Sequence, residues 1–160
     1  MIVRFVDTNI MLYAISRDPA EQAKATIARR LLDEDDIALS VQVLQEFYVQ
    51  ATRSTRRDRL THGQASSLLE SFTRFAVQDI TLAIVQRALA TRDRFGLSYW
   101  DAAIIEAARA SGCKELLSED LSDGTDYGGV TVLNPFRGSG DSLLKKSGGE
   151  ADGMVSARLA

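Results

Sequence analysis

The chain has 160 residues, one domain's worth, and its 45% hydrophobic and 26% charged residues fit a soluble globular protein with a single sizeable core. No apolar run approaches the ~20 residues needed to span a bilayer, and the basic, apolar and small-residue segments of a secretory signal are missing from the N-terminus. A formal charge of -3 argues against a broad basic nucleic-acid surface, though not against a local one, or a metal that lets an acidic site accept phosphate. Cys113 is the lone cysteine, which excludes an intramolecular disulfide and fits a reducing cytoplasm. With one histidine in the chain no Cys-His pair is evident, and Cys113 reads as a small buried hydrophobe.

In chain order, Ile2-Val3-Arg4-Phe5-Val6 is a nearly continuous apolar run, the pattern of a strand buried on both faces of a parallel sheet. Asp7-Thr8-Asn9 follows, and residues 10–15 read as a short apolar helix. Asp18-Pro19-Ala20-Glu21 starts another helix, with Asp18 as cap and Pro19 at the first helical position. Ala23, Ile27 and Leu31 recur down one of its faces. Ile37-Ala38-Leu39 is a second strand and Ser40 a cap for a helix with Leu44, Phe47, Tyr48 and Ala51 on its apolar face. Thr61 with Gln64 opens a helix carrying Leu68, Leu69, Phe72 and Phe75 inward, and residues 76–78 form a strand. A helix over 81–94 is expected to face the core with Leu82, Val85 and Leu89. Gly96 breaks it, Ser98 caps the next helix, and Gly112 stops that one. Residues 115–118 and 130–133 read as strands. From Gly138 to Ala160, a Gly-, Ser- and Lys-containing tail with little periodicity is expected to be disordered. Strands alternating with helices imply an α/β fold, three layers with a mainly parallel sheet of four to five short strands between helices.

Four carboxylates recur at related topological positions. Asp7 follows the first strand, Glu46 lies near the start of the helix after the second, Asp101 in the first turn after Ser98, and Asp120 just beyond the strand ending at Ser118. Strand C-termini and the N-termini of the following helices share one edge of a parallel sheet, where such folds place ligands. Each residue has an ordinary alternative. Asp7 is good N-cap chemistry, Asp101 stands three after Ser98 as in a capping box, Glu46 suits a solvated helix face, and Asp120 and Asp123 suit a turn. Converging carboxylates repel by ~1 kcal/mol per pair at 4 Å in water, and more at lower dielectric. A hard cation, Mg²⁺ or Mn²⁺, relieves this and leaves positions open for phosphate. The chemistry that suits the array is metal-assisted phosphodiester hydrolysis, with one ion or two ~4 Å apart.

Together these residues resemble the PIN domain family, and within it the VapC-like toxin ribonucleases of bacterial toxin–antitoxin pairs. The resemblance covers residues 1–136 and rests on Val6-Asp7-Thr8-Asn9, Leu44-Gln45-Glu46-Phe47, Leu97-Ser98-Tyr99-Trp100-Asp101-Ala102-Ala103-Ile104 and Leu117-Ser118-Glu119-Asp120-Leu121. It implies a PIN-like nuclease domain over 1–137, in which Asp7, Glu46, Asp101 and Asp120 hold one or two Mg²⁺ or Mn²⁺. Asn9 and Ser118 match supporting polar positions, with Ser118 standing where many relatives have Thr. Asp123 is a further acidic candidate that either assists Asp120 or shapes the turn. The resemblance also implies a cytoplasmic endoribonuclease with RNA as substrate and a small antitoxin as partner. It further implies a homodimer or a higher toxin–antitoxin assembly.

Two other classes compete. A haloacid dehalogenase-type phosphatase also uses an Asp after its first strand, but wants a second Asp where this chain has Asn9. A non-catalytic PIN-like interaction module would be favoured by missing acids, and all four are here. Arg53, Arg56, Arg57 and Arg59 suit RNA phosphates, although a solvated loop is the commoner role for any one of them. His62 fits a helix start. Tyr99 and Trp100 suit either base stacking or packing.

Overall fold

The computed structural model describes residues 3–138. Five strands, β1 (Arg4–Val6), β2 (Ile37–Ser40), β3 (Ala76–Gln78), β4 (Glu115–Leu117) and β5 (Thr131–Leu133), form one sheet in the order β3-β2-β1-β4-β5. Every neighbouring pair is parallel. The helices are α1 (Thr8–Ala14), α2 (Gln22–Leu32), α3 (Val41–Ala51), α4 (His62–Phe72), α5 (Leu82–Phe95) and α6 (Tyr99–Ala110), with a 3₁₀ turn at Pro19–Glu21 leading into α2. Ile2 and the tail from residue 139 onward lie outside the described residues.

The strand order explains the layers. From β1 the chain moves outward through β2 to β3, and the connecting helices pack together: α1 on α2 and α3, and α3 on α4. From β3 the chain crosses back to β4 on the other side of β1, so α5 and α6 travel in the opposite sense. Right-handed crossovers in opposite senses put their helices on opposite faces of a sheet. Accordingly α5 packs on α6, and α6 lies across β2, β3 and β4. The sheet is therefore covered on both sides, and Phe5, Val6, Leu39, Leu116 and Val132 have no exposed surface. Cys113 is buried in the same core, and burial pushes its thiol up to about 11, which makes it a poor nucleophile at neutral pH.

Local chemistry sets the helix boundaries. Ser40, Thr81 and Ser98 each accept a hydrogen bond from the backbone N–H three residues on, and Thr61 with Gln64 forms a complete capping box. Gly96 ends α5 at φ 67°, a conformation that a side chain makes costly. Asp18 caps the 3₁₀ turn rather than α2 directly.

Two details depart from the sequence pattern. Arg4, within the first apolar run, is buried and paired with Asp36 at 3.3 Å, at the end of the sheet away from Asp7. On α5 the expected inward face is reversed in part: Leu82 and Leu89 are 73% and 54% exposed, while Ile84, Ala88 and Thr91 are buried. Ala88 meets Ala102 and Ala103 of α6. Small residues let α5 and α6 approach closely, and that contact selects the alanine stripe over the leucines. Truncating Ile84 to Ala should therefore cost roughly 2–4 kcal/mol in urea unfolding, whereas Leu82→Ala should stay within about 0.5 kcal/mol. Equal costs at the two positions would mean that the helix is rotated from this placement.

Candidate active site

The β1–β4 ladder pairs Arg4 with Glu115, Phe5 with Leu116 and Val6 with Leu117. One step further it sets Asp7 opposite Ser118, at the carboxyl end of both strands. This is the point where the strand order reverses, and ligand crevices of open α/β sheets open there because successive connections leave on opposite faces. Asp7 is at once the N-cap of α1 and a buried carboxylate. Its Oδ1 accepts from Thr8 N at 2.7 Å and its Oδ2 from Ser118 Oγ at 2.7 Å. Ser118 Oγ in turn accepts from Asp120 N at 3.2 Å. The Asn9 amide ties the cluster together, donating from Nδ2 to Asp120 Oδ2 at 3.1 Å and accepting at Oδ1 from Glu119 N at 3.3 Å.

The other two carboxylates come from opposite helical layers. Glu46 lies in the second turn of α3, whose cap Ser40 ends β2 at the same sheet edge. Its Oε2 accepts from Thr8 Oγ1 at 2.7 Å and its Oε1 from Gln42 Nε2 at 2.8 Å. Gln42 also reaches the carbonyl of Trp100 at 3.3 Å, linking α3 to the first turn of α6. Asp101 sits in that turn, where its backbone N–H takes the Ser98 hydroxyl as cap. The resulting cleft, about 140 Å³, is lined by Asp7, Glu46, Asp101 and Asp120, with Asn9 between them and Leu12, Ile104 and Trp100 as its apolar walls.

Of the candidates read from the sequence, the four acids and Asn9 thus line one cleft, and Ser118 stands beneath it on Asp7. Asp123 lies elsewhere: its Oδ1 accepts from Asn134 N at 2.8 Å and its Oδ2 faces Arg137 at 3.7 Å, the work of a turn residue. Thr8 and Gln42 were not anticipated. Gln42 stands one helical turn before Glu46, a spacing from which a side-chain amide can orient a carboxylate.

Electrostatics make the cleft an unfavourable place for uncompensated charge. Burial, with added repulsion from Asp120 and Glu46, raises Asp7 to about 6 despite the lowering effect of Ser118 and Thr8. Asp101 is raised chiefly by burial, against the Ser98 hydroxyl and with the same two carboxylates adding to it. Among the described residues no three Asp, Glu, His or Cys side chains stand together as a ready-made metal-holding group. Open, all-oxygen donors of this kind fit a hard cation that keeps part of its water shell, such as Mg²⁺ or Mn²⁺.

A family model for the PIN domain matches residues 4–122. The chain belongs to the PIN domain family. Solved structures of the same fold include a toxin–antitoxin complex from Klebsiella pneumoniae (22% identity, 83% of this chain and 98% of that one, TM-score 0.61). VapC20 of Mycobacterium tuberculosis, described as a sarcin-ricin loop cleaving toxin, aligns at 21% identity over 73% of this chain and 89% of its own, with a TM-score of 0.56. VapBC2 of Rickettsia felis, bound to a promoter DNA fragment, aligns at 20% identity over 83% and 98%, with a TM-score of 0.59. No curated protein matches by sequence. The PIN-domain assignment sets aside the haloacid dehalogenase alternative.

The raised carboxyl of Asp7 has a consequence for stability. Its folded-state value lies above the unfolded 3.8, so it imposes no penalty below about pH 3.8. Stability falls as pH rises through about 6 and levels off above, for a loss of about 3 kcal/mol at most. In EDTA, Asp7→Asn should therefore melt above wild type at pH 7.5 and show no advantage at pH 4. A variant melting no higher than wild type at pH 7.5 would contradict the charge frustration described here.

Proposed function

We propose that the protein is a VapC-like, Mg²⁺- or Mn²⁺-dependent endoribonuclease, the toxin half of a toxin–antitoxin pair. The observation that carries the reading is the convergence of four carboxylates from four separate chain segments, two of them at the β1/β4 switch point, on one small cleft. Membership of the PIN family supports a hydrolase of phosphodiester bonds, and the VapBC-type complexes of the same fold support an antitoxin partner. The described structure has no helix long and apolar enough to cross a membrane. A cytoplasmic setting and a homodimeric or larger assembly belong to the same proposal.

In this reading Asp7, Glu46, Asp101 and Asp120 hold the metal. When bound, the cation supplies a Lewis acid for the phosphoryl oxygens and a water of lowered pKa. The chain's own groups do the positioning. Ser118 Oγ and Thr8 N fix both oxygens of Asp7, and Thr8 Oγ1 and Gln42 fix both oxygens of Glu46, so these carboxylates are oriented before any ligand arrives. Asn9 donates to Asp120 Oδ2 and so orients that exposed carboxylate at the cleft. Holding a metal would require Asp7 in its deprotonated form, so affinity should rise as pH passes through about 6.

The test is cleavage of RNA by purified, antitoxin-free protein with Mn²⁺, Mg²⁺ or EDTA. Cutting should require metal and fall by at least ~100-fold in Asp7→Asn and Asp101→Asn, while Ser118→Ala should weaken metal affinity roughly 10–100-fold. Cleavage in EDTA, or undiminished cleavage by the two Asn variants, would sink the proposal.

A further inference from the structure

Beyond the acidic cleft the surface continues as a groove. The cleft shares Asn9, Leu12 and Asp120 with a second cavity of about 200 Å³, and that cavity shares Glu21 and Arg56 with a third of about 520 Å³. The third, larger than the cleft itself, is bounded by Arg17 from the turn after α1 and by Arg56 and Arg57 from the segment between α3 and α4. We propose that this groove carries the sugar–phosphate backbone of single-stranded RNA, with Arg17, Arg56 and Arg57 contacting phosphates outside the scissile one. The proposal rests on the nuclease reading above and adds to it a substrate-binding track.

The arginines are positioned for an external anion. Asp58 joins the two segments: its Oδ2 accepts from Arg17 N at 2.9 Å and its Oδ1 faces Arg56 Nε at 3.0 Å. Those contacts, led by the Arg17 amide, hold Asp58 below the usual carboxylate range despite partial burial. Asp18 is occupied as the cap on Ala20 N, and Glu119, in the middle cavity, is paired with Lys24 and with the Tyr13 hydroxyl. The remaining carboxylates lining the groove are Glu21 and, where it meets the cleft, Asp120. Arg17 and Arg57 are exposed, and among the described residues neither side chain has a carboxylate within ion-pair distance.

A polyanion fits the whole path better than an acidic peptide does. One ligand must lie on guanidiniums at one end and on four carboxylates at the other. A nucleic acid meets the carboxylates through a cation that binds its phosphate, whereas peptide carboxylates would add to their repulsion. Trp100, which lines the cleft but not the groove cavities, is 63% exposed with Tyr99 packed edge-on against it, an exposed aromatic of the kind on which an unpaired base stacks.

The experiment is the binding of a fluorescein-labelled single-stranded RNA 12-mer, followed by anisotropy in EDTA across a salt series, with cleavage assayed separately in Mn²⁺. Each lost phosphate contact on a single strand lowers the slope of log affinity against log salt by about 0.7. Arg17→Ser with Arg57→Ser should flatten that slope by about 1.4 and raise the KM for cleavage. The double lysine variant should restore most of the slope. Arg87→Ser with Arg92→Ser, an equal charge change on the exposed face of α5, should leave it unchanged. Wild-type slopes in the groove variant, or equal losses in the α5 control, would overturn the track; the first result would leave the arginines to an acidic partner segment. Groove-dependent binding without cleavage in any metal would overturn the nuclease reading alone. No RNA binding by wild type in EDTA would overturn the track, and the nuclease reading with it only if cleavage in Mn²⁺ also failed.

Discussion

The carboxyl of Asp7 is the constraint around which the molecule is arranged. It is 6% exposed, directly above the sheet, with the charges of Asp120 and Glu46 acting on it from two sides. A buried ionised group survives only when it is paired or hydrogen-bonded. Two short hydrogen bonds, one to each oxygen, provide that support in part, and the raised pKa measures what they leave uncompensated. Natural chains keep such frustrated charge where function needs it. The cleft is accordingly better suited to a cation than to its own four acids.

That arrangement depends on topology more than on any single contact. β1 and β4 are neighbours although more than a hundred residues separate them, and the intervening chain wraps both faces of the sheet before returning. Reversal at β1 lets helices from opposite layers, α3 and α6, both begin at the carboxyl end of the sheet and project Glu46 and Asp101 toward Asp7. Support of the far side matters too. The connection from β4 to β5 contains no helix, and Arg109 of α6 secures it by donating to the carbonyls of Tyr127 and Gly128. Glu106, buried and held by Thr91 at 2.6 Å, fixes that arginine in turn. A rigid return path keeps Ser118 and Asp120 in register with Asp7.

Much of this is written in local sequence, because strands, caps and stops are local physics. Thr61 with Gln64, Ser98 with Asp101 and Gly96 each act within a few residues, and their roles were legible. The Asp7 and Asp101 positions are instructive, since capping and lining the cleft turn out to be compatible: in both cases cap geometry places the carboxylate at the sheet edge. What local pattern did not convey was which of two apolar stripes on α5 faces inward. Leu82 and Leu89 are more hydrophobic than Ala88, but the choice was made by the alanine surface of α6, a partner that periodicity within one helix cannot see. Arg4 escaped for a related reason, because its burial depends on Asp36, thirty-two residues away. Thr8 is an ordinary helical residue until the fold brings Glu46 against it, thirty-eight residues on, whereas Gln42 stands one turn before Glu46 on the same helix and its role was within reach of local spacing.

Net charge illustrates the same distinction at the scale of the surface. A total of -3 describes the chain as a whole, yet an incoming ligand responds to charge within about 8 Å at physiological salt. Over that range the surface alternates between a carboxylate cleft and a groove bounded by three arginines, of which Arg56 faces Asp58 while Arg17 and Arg57 are exposed. In the function proposed above, a cation would remove the cleft's repulsion and would also draw a phosphate in. The arginines would then act on phosphates farther along the strand, where no cation is needed. On that proposal an acidic protein engages a polyanion through a small part of its surface, and the acidity of the site is the reason to expect a dependence on metal.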